Sequence, residues 1–205
     1  MKESVLQAVD DLIPTIEETP GIQLVMNNSW GTVGCKKEDY WCNMIPTRLL
    51  RHLVRDDIAS VVMAAGNSNE DCGRAHAQAN PPSVLCINST PGTVVVAALD
   101  RNGQPQPYSS RGPGQCGYYS PWIGAPTFGG MPWGTGIRQF GATGAGTSST
   151  APMVSGCLAL MKQVRPRAGN ELMLAAMAAT AKMQKTNPDA SQRAPWDRAV
   201  GFGTL

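Results

Sequence analysis

Two apolar runs with a helical pattern between them limit what this chain can become more than any other feature. Ile22–Met26 reads as a buried strand, residues near 45–55 as a helix carrying Leu49, Leu50, Leu53 and Val54, and Ile58–Ala65 as a second strand. A strand, a helix and a strand at this spacing form a parallel unit, because parallel neighbours need a crossover and a helix provides it. Thr93–Leu99 adds a third apolar strand. Residues 4–17 read as an amphipathic helix with Val5, Val9, Leu12 and Ile16 on one face, which Pro14 should end or kink. A later helix runs from Asn170 to about Met183. The expected class is therefore α/β with a parallel sheet. At 205 residues, with no internal repeat or low-complexity linker, one domain with a sizeable core is the simplest organisation.

Composition narrows the function classes. Seventeen basic residues stand against 15 acidic ones, for a net charge of +2, and no basic stripe interrupts that balance. Nucleic-acid or membrane-surface binding therefore has no electrostatic support, and no apolar run reaches the length of a membrane span. Charged residues are only 16% of the chain while Gly (22) and Pro (16) are frequent, which suits a loop-rich enzyme domain better than a helical bundle. Of the six cysteines, Cys35 and Cys42, and Cys72 and Cys86, are near enough in sequence for local bridges, which would imply an oxidising, secreted setting. Connectivity is not fixed by sequence. There is no CxxC pair and the histidines are His52 and His76 alone, so no metal site is expected.

The chemistry concentrates in Gly141–Gly156. A glycine-rich approach leads through Gly146-Thr147-Ser148 into a helix whose apolar positions Met153, Val154, Cys157, Leu158 and Met161 recur at steps of three and four. Pro152 falls near its first turn, where a missing N–H costs least. Ser148 thus stands at a helix N-terminus, among unpaired N–H groups and the positive end of the dipole. A serine there can attack a carbonyl while its own N–H helps hold the oxyanion. Without further context, the same residues make a glycine loop capping a core helix.

Gly146-Thr-Ser-Ser-Thr-Ala-Pro-Met-Val-Ser-Gly156 resembles the nucleophile motif of the subtilisin-like serine proteases, with Ser148 as nucleophile. Further blocks follow the family's order. Ile22–Gly31 resembles the strand ending in Asn-x-Ser-x-Gly, so Ser29, Trp30 and Gly31 would pair with an extended substrate and form one wall of the specificity pocket. Ser29-Trp30-Gly31 is similar to the Ser-Trp-Gly of the kexin-like branch, whose preference is for basic residues; three residues leave that preference open here. Val61–Asn67 resembles the strand into the oxyanion-hole asparagine. Ala64, Ala65 and Gly66 would then form the other wall, and Asn67 would donate its amide to the oxyanion, a contact worth about 3–4 kcal/mol. Tyr108–Pro113 resembles a structural turn of the family, Gly124–Pro126 its Ala-Pro element shortly before the nucleophile loop, and Gly201–Gly203 its Gly-Tyr-Gly closure near the C-terminus. The implied fold is a three-layer, parallel-sheet subtilisin-like domain over residues 1–205, and the implied partner is a polypeptide substrate. Family members often bind structural calcium, but no loop here matches such a site, and no cofactor is expected.

One element of the resemblance is missing. The family's triad runs Asp, His, Ser, and this sequence holds neither an Asp-[Thr/Ser]-Gly nor a His-Gly-Thr motif. His52 reads as an ordinary helix residue, and nothing around His76 matches the family's histidine. Without a base, the serine hydroxyl is a weak nucleophile near neutral pH. The expectation is an N-terminally incomplete catalytic domain, needing its missing segment, inactive and poorly soluble alone; the alternative is an inactive subtilase-like module that binds peptides or proteins. A phosphate-binding loop at Gly141–Ser148 fails because Thr147 stands where the lysine should be, and an α/β-hydrolase elbow fails because Thr150 replaces its second glycine. Asn27-Asn28-Ser29 and Asn88-Ser89-Thr90 are sequons, open to glycans if the chain is secreted by a eukaryote.

Overall fold

In a computed structural model, residues 2–19, 21–31, 42–70, 72, 83–114, 118–127, 146–182 and 196–205 are described. They form helices α1 (Lys2–Glu18), α2 (Ile45–Arg55), α3 (Thr147–Val164) and α4 (Asn170–Thr180), and strands β1 (Leu24–Asn28), β2 (Ala59–Ala64), β3 (Val94–Leu99) and β4 (Ile123–Pro126). The strands lie in the order β1-β2-β3-β4, every neighbouring pair parallel.

Every residue of β2 and β3 is buried. Their alternate side chains enter two different cores, as period-2 geometry requires. Val62, Ala64, Val94 and Val96 pack with Ala151, Val154 and Leu158 of α3 and Met173, Leu174 and Met177 of α4. Val61, Met63 and Val95 face the opposite way, against Val9 of α1 and Leu50, Leu53 and Val54 of α2. The result is three layers, helices on both faces of a parallel sheet, which is why these runs are apolar throughout rather than alternating.

β1 begins at Leu24, leaving Ile22 outside the sheet and 41% exposed. α1 continues through Pro14, and Leu12 points outward while Val9 is buried and Ile13 packs beside it. On α3, Met153 is exposed; the buried face is Ala151, Val154, Leu158 and Lys162. β4 escaped notice because four residues, two of them Gly and Pro, carry almost no periodic signal.

The two edges of the sheet differ. The C-terminal segment lies along β4, with Gly124 N–H donating to Gly203 O (2.8 Å) and Leu205 N–H to Gly124 O (3.1 Å). Gly201 has φ of +68° and no room for a Cβ against the Trp122 carbonyl, so the turn there depends on glycine. Among the described residues, β1 pairs only with β2. Cys42 and Cys72 are disulfide-bonded and Cys157 is free; the pairing rests on side chains outside those described.

Candidate active site

The carboxyl ends of β1 and β2 splay into the segments Ser29–Gly31 and Ala65–Ser68, and α3 begins over the gap between them. Ligand clefts in open parallel sheets form at this end, where loops can diverge from the strands. A cleft of about 270 Å³ opens here. Ser29, Trp30 and Gly31 line one side and Ala64, Ala65 and Gly66 the other, with Asn67 and Ser148 also on its surface. All eight residues singled out from the sequence are therefore neighbours, although up to 119 positions separate them in the chain. Ser68 and Thr147 also line it, and so do Ser83, Leu85, Asn88 and Ser110, which were not anticipated.

Ser148 is exposed at the second position of α3, directly after the N-cap Gly146 and Thr147. Gly146 has φ of +122°, and a Cβ there would lie 3.2 Å from the Asn67 amide nitrogen, so the helix entry tolerates only glycine comfortably. Two reciprocal hydrogen bonds tie the serine to the end of β1. Ser148 Oγ donates to Ser29 O at 3.1 Å, and Ser29 Oγ donates to Ser148 O at 3.0 Å.

Asn67 is oriented by Thr147. Its Oδ1 accepts from Thr147 N–H (2.9 Å) and from Thr147 Oγ1 (3.0 Å), so Nδ2 is the end left to donate elsewhere. Thr147 Oγ1 also accepts from Gly66 N–H at 3.1 Å. The fully buried Thr147 therefore joins the end of β2 to the start of α3. Tyr108 adds a strut, its hydroxyl accepting from Gly146 N–H at 3.0 Å.

The cleft walls are braced by two asparagines that sequence reasoning missed. Asn28 Oδ1 accepts from the Trp30 indole N–H (3.1 Å), and its Nδ2 reaches Val62 O (3.3 Å), which fixes the ring relative to β2. Asn88 Nδ2 donates to Trp30 O (3.0 Å) and to Ala64 O (2.8 Å), strapping the walls together. Both are buried, 4% and 3% exposed; Asn88, a sequon acceptor, has its amide engaged and is closed to glycosylation in the folded chain, whereas Asn27, the acceptor of the other sequon, is exposed. Asn28 ends a strand and Asn88 sits in a sequon; neither carries a signal of its role in sequence.

The model of the subtilase family matches residues 2–203. This chain belongs to the subtilase family. A subtilase cytotoxin component from Escherichia coli is 29% identical over 182 residues, covering 82% of this chain and 49% of that protein. The chain thus spans about half the length of that relative. Among solved structures, the prenylagaramide maturation protease PagA matches with a TM-score of 0.64 at 20% identity, covering all of this chain and 65% of that one. The PatG macrocyclase in complex with peptide matches with a TM-score of 0.61 at 19% identity, covering 100% and 54%. At such identities the structural likeness speaks for the fold, the α/β subtilase sheet.

His52 is not part of this constellation. Its Nδ1 is 2.7 Å from the Asp56 carboxylate at the end of α2, both side chains well exposed, in the helical layer opposite α3. The adjacent Arg55 guanidinium, foremost by its hydrogen bond, holds the Asp56 carboxyl below the usual carboxylate range. His76 lies outside the described residues. Among the described residues no group of three metal-ligating side chains occurs, and no helix is long and apolar enough to cross a membrane.

Proposed function

We propose that this chain is the serine-bearing part of a subtilisin-like serine endopeptidase, hydrolysing peptide bonds through an acyl-enzyme on Ser148. One observation carries the reading: an exposed serine at a helix N-terminus beside an asparagine whose carbonyl end is held by Thr147, so that its amide end is left to donate. A scissile carbonyl between the two would meet Ser148 Oγ as nucleophile, with Asn67 Nδ2 and Ser148 N–H as oxyanion donors. The substrate would run extended along Ser29–Gly31, where main-chain pairing is insensitive to side-chain identity. Ser29 O, now occupied by the serine hydroxyl, is an acceptor a substrate N–H could claim.

Attack requires an acceptor for the Ser148 proton. The family's Asp and His motifs are not in this sequence, and His52 is engaged with Asp56 in the other helical layer. The reading therefore assigns the base to residues this sequence does not contain, and the chain alone to very low activity; oxyanion stabilisation and binding without the base still leave a residue of catalysis. Bonded Cys42 and Cys72 support an oxidising, secreted setting.

Small-molecule rescue tests this. An alkyl fluorophosphonate reacts by forming an Oγ–P bond and expelling fluoride, and imidazole can take the proton in place of the missing base. Labelling of Ser148 is expected to be slow alone, to accelerate with the neutral fraction of added imidazole, and to vanish in Ser148→Ala. Labelling that ignores imidazole, or persists in Ser148→Ala, rejects the proposal; absence of labelling in every condition favours a peptide-binding module.

A further inference from the structure

The cleft has a chemical character that the catalytic reading does not fix. Among its described lining residues none is Asp, Glu, Lys, Arg or His. Its most buried polar members include Ser83, Asn88 and Ser110, at 2%, 3% and 0% exposure, so the buried part of its described lining is polar but uncharged. Their partners define what each can still offer. Both donors of Asn88 can be spent on Trp30 O and Ala64 O, which leaves Oδ1 as an acceptor. Ser83 Oγ accepts from Arg111 N–H (2.8 Å) and Ser110 Oγ from Ser68 N–H (3.3 Å), so each hydroxyl keeps its proton to donate.

Gly31 controls access to that acceptor. A Cβ on residue 31 would run into Asn88 Oδ1, so only glycine leaves the path along the wall open. Trp30 lines the same wall and packs its ring on the apolar core behind it, its indole N–H already committed to Asn28. A ligand tip entering here meets one acceptor and two hydroxyl donors.

Resting on the reading that this cleft receives the residue whose carbonyl Ser148 attacks, we propose that it selects a carboxamide side chain, glutamine or asparagine, at that residue. The amide N–H₂ donates to Asn88 Oδ1 while its carbonyl accepts from Ser83 or Ser110. An aliphatic tip leaves buried polar atoms unpaired, and a charged tip finds no counter-charge among the described lining residues; both carry a penalty that a neutral amide avoids. Sites built around hydrogen bonds reject analogues lacking them more sharply than apolar slots reject a missing methylene. The Ser-Trp-Gly wall therefore does not bring with it a taste for basic residues.

The test measures binding of fluorophore-labelled peptides to the unaltered chain by fluorescence polarisation. The peptides share one extended sequence and differ only in a terminal Gln, Asn, Leu, Arg or Glu. Gln or Asn is expected to bind about tenfold tighter or better, which corresponds to about 1.4 kcal/mol of paired amide. Leu85, half-buried on the same lining, provides a gain of function: Leu85→Glu should transfer the preference to Arg. Asn88→Leu should level Gln with Leu, and because that change also cuts the strap, the peptide series on the unaltered chain decides. Tightest binding of Arg or Leu, equal binding of all five, or binding of none overturns the inference. Imidazole-rescued labelling of Ser148 is read separately. Its success without a carboxamide preference leaves the peptidase reading and removes this one, and the reverse result leaves the pocket on a binding module.

Discussion

Thr147 is the residue through which the serine and the asparagine depend on one another. Its hydroxyl donates to Asn67 and accepts from Gly66 N–H, both in a fully buried position. Thr147→Val keeps the volume and removes both bonds, so unfolding free energy should fall by about 1–2 kcal/mol. Asn67 would then be held by the residue-147 N–H alone, and imidazole-rescued labelling should slow by about an order of magnitude, while Thr147→Ser retains both properties. Urea melts and labelling time courses measure the two effects independently; lost stability with unchanged labelling would remove Thr147 from any positioning role. The identities of Ser148 and Asn67 could be read from their local motifs. The bonds of Thr147, Asn28 and Asn88 could not, because they join positions 80, 34 and 58 apart and any of these residues reads locally as a helix start, a strand end or a turn.

At the scale of elements, α3 begins at the cleft and ends on a buried cation. Lys162 is 5% exposed and its ammonium donates to Ala168 O at 3.0 Å. Burial pushes its pKa down from the ordinary lysine value, opposed by the Asp57 carboxylate. Below its folded pKa the charged amine is held in both states; between that value and about 10.4 the unfolded chain binds more protons, so stability rises with pH across the window. Lys162→Met should abolish that rise, seen as urea midpoints of wild type and variant converging or crossing as pH increases; parallel curves would count against a buried titrating amine. The amphipathic pattern of α3 was legible, but it did not distinguish Met153, which is exposed, from Val154, which is not. Nor could periodicity foresee that a lysine would lie on the inner face, with its carbonyl partner supplied by the turn after the helix.

For the whole molecule, the contrast between the sheet's edges sets behaviour in solution. β4 is covered by the C-terminal segment, whereas Leu24, Val25 and Met26 of β1 remain half-buried where the matching strands are fully buried. A parallel edge with accessible apolar side chains is a template for association. The chain is expected to self-associate at micromolar concentration, and Ile22→Lys, changing a side chain already 41% exposed, should reduce association without moving the melting temperature. Light scattering over a concentration series checks this; a monodisperse monomer throughout would refute it.

The apolar runs by themselves determined the fold class, because continuous β-forming stretches joined by a helix can be buried only in a parallel sheet covered on both faces. Gly146-Thr147-Ser148 likewise determined a serine at a helix start, since the glycine and the following periodicity leave few other conformations. Those are local consequences of sterics and burial. Which strand lies at each edge of the described sheet, how Thr147 holds Asn67, and why the cleft meets Asn88 and two serines were decided only when distant segments packed together. A hydrogen bond between positions 58 apart has no local energy for a sequence pattern to record.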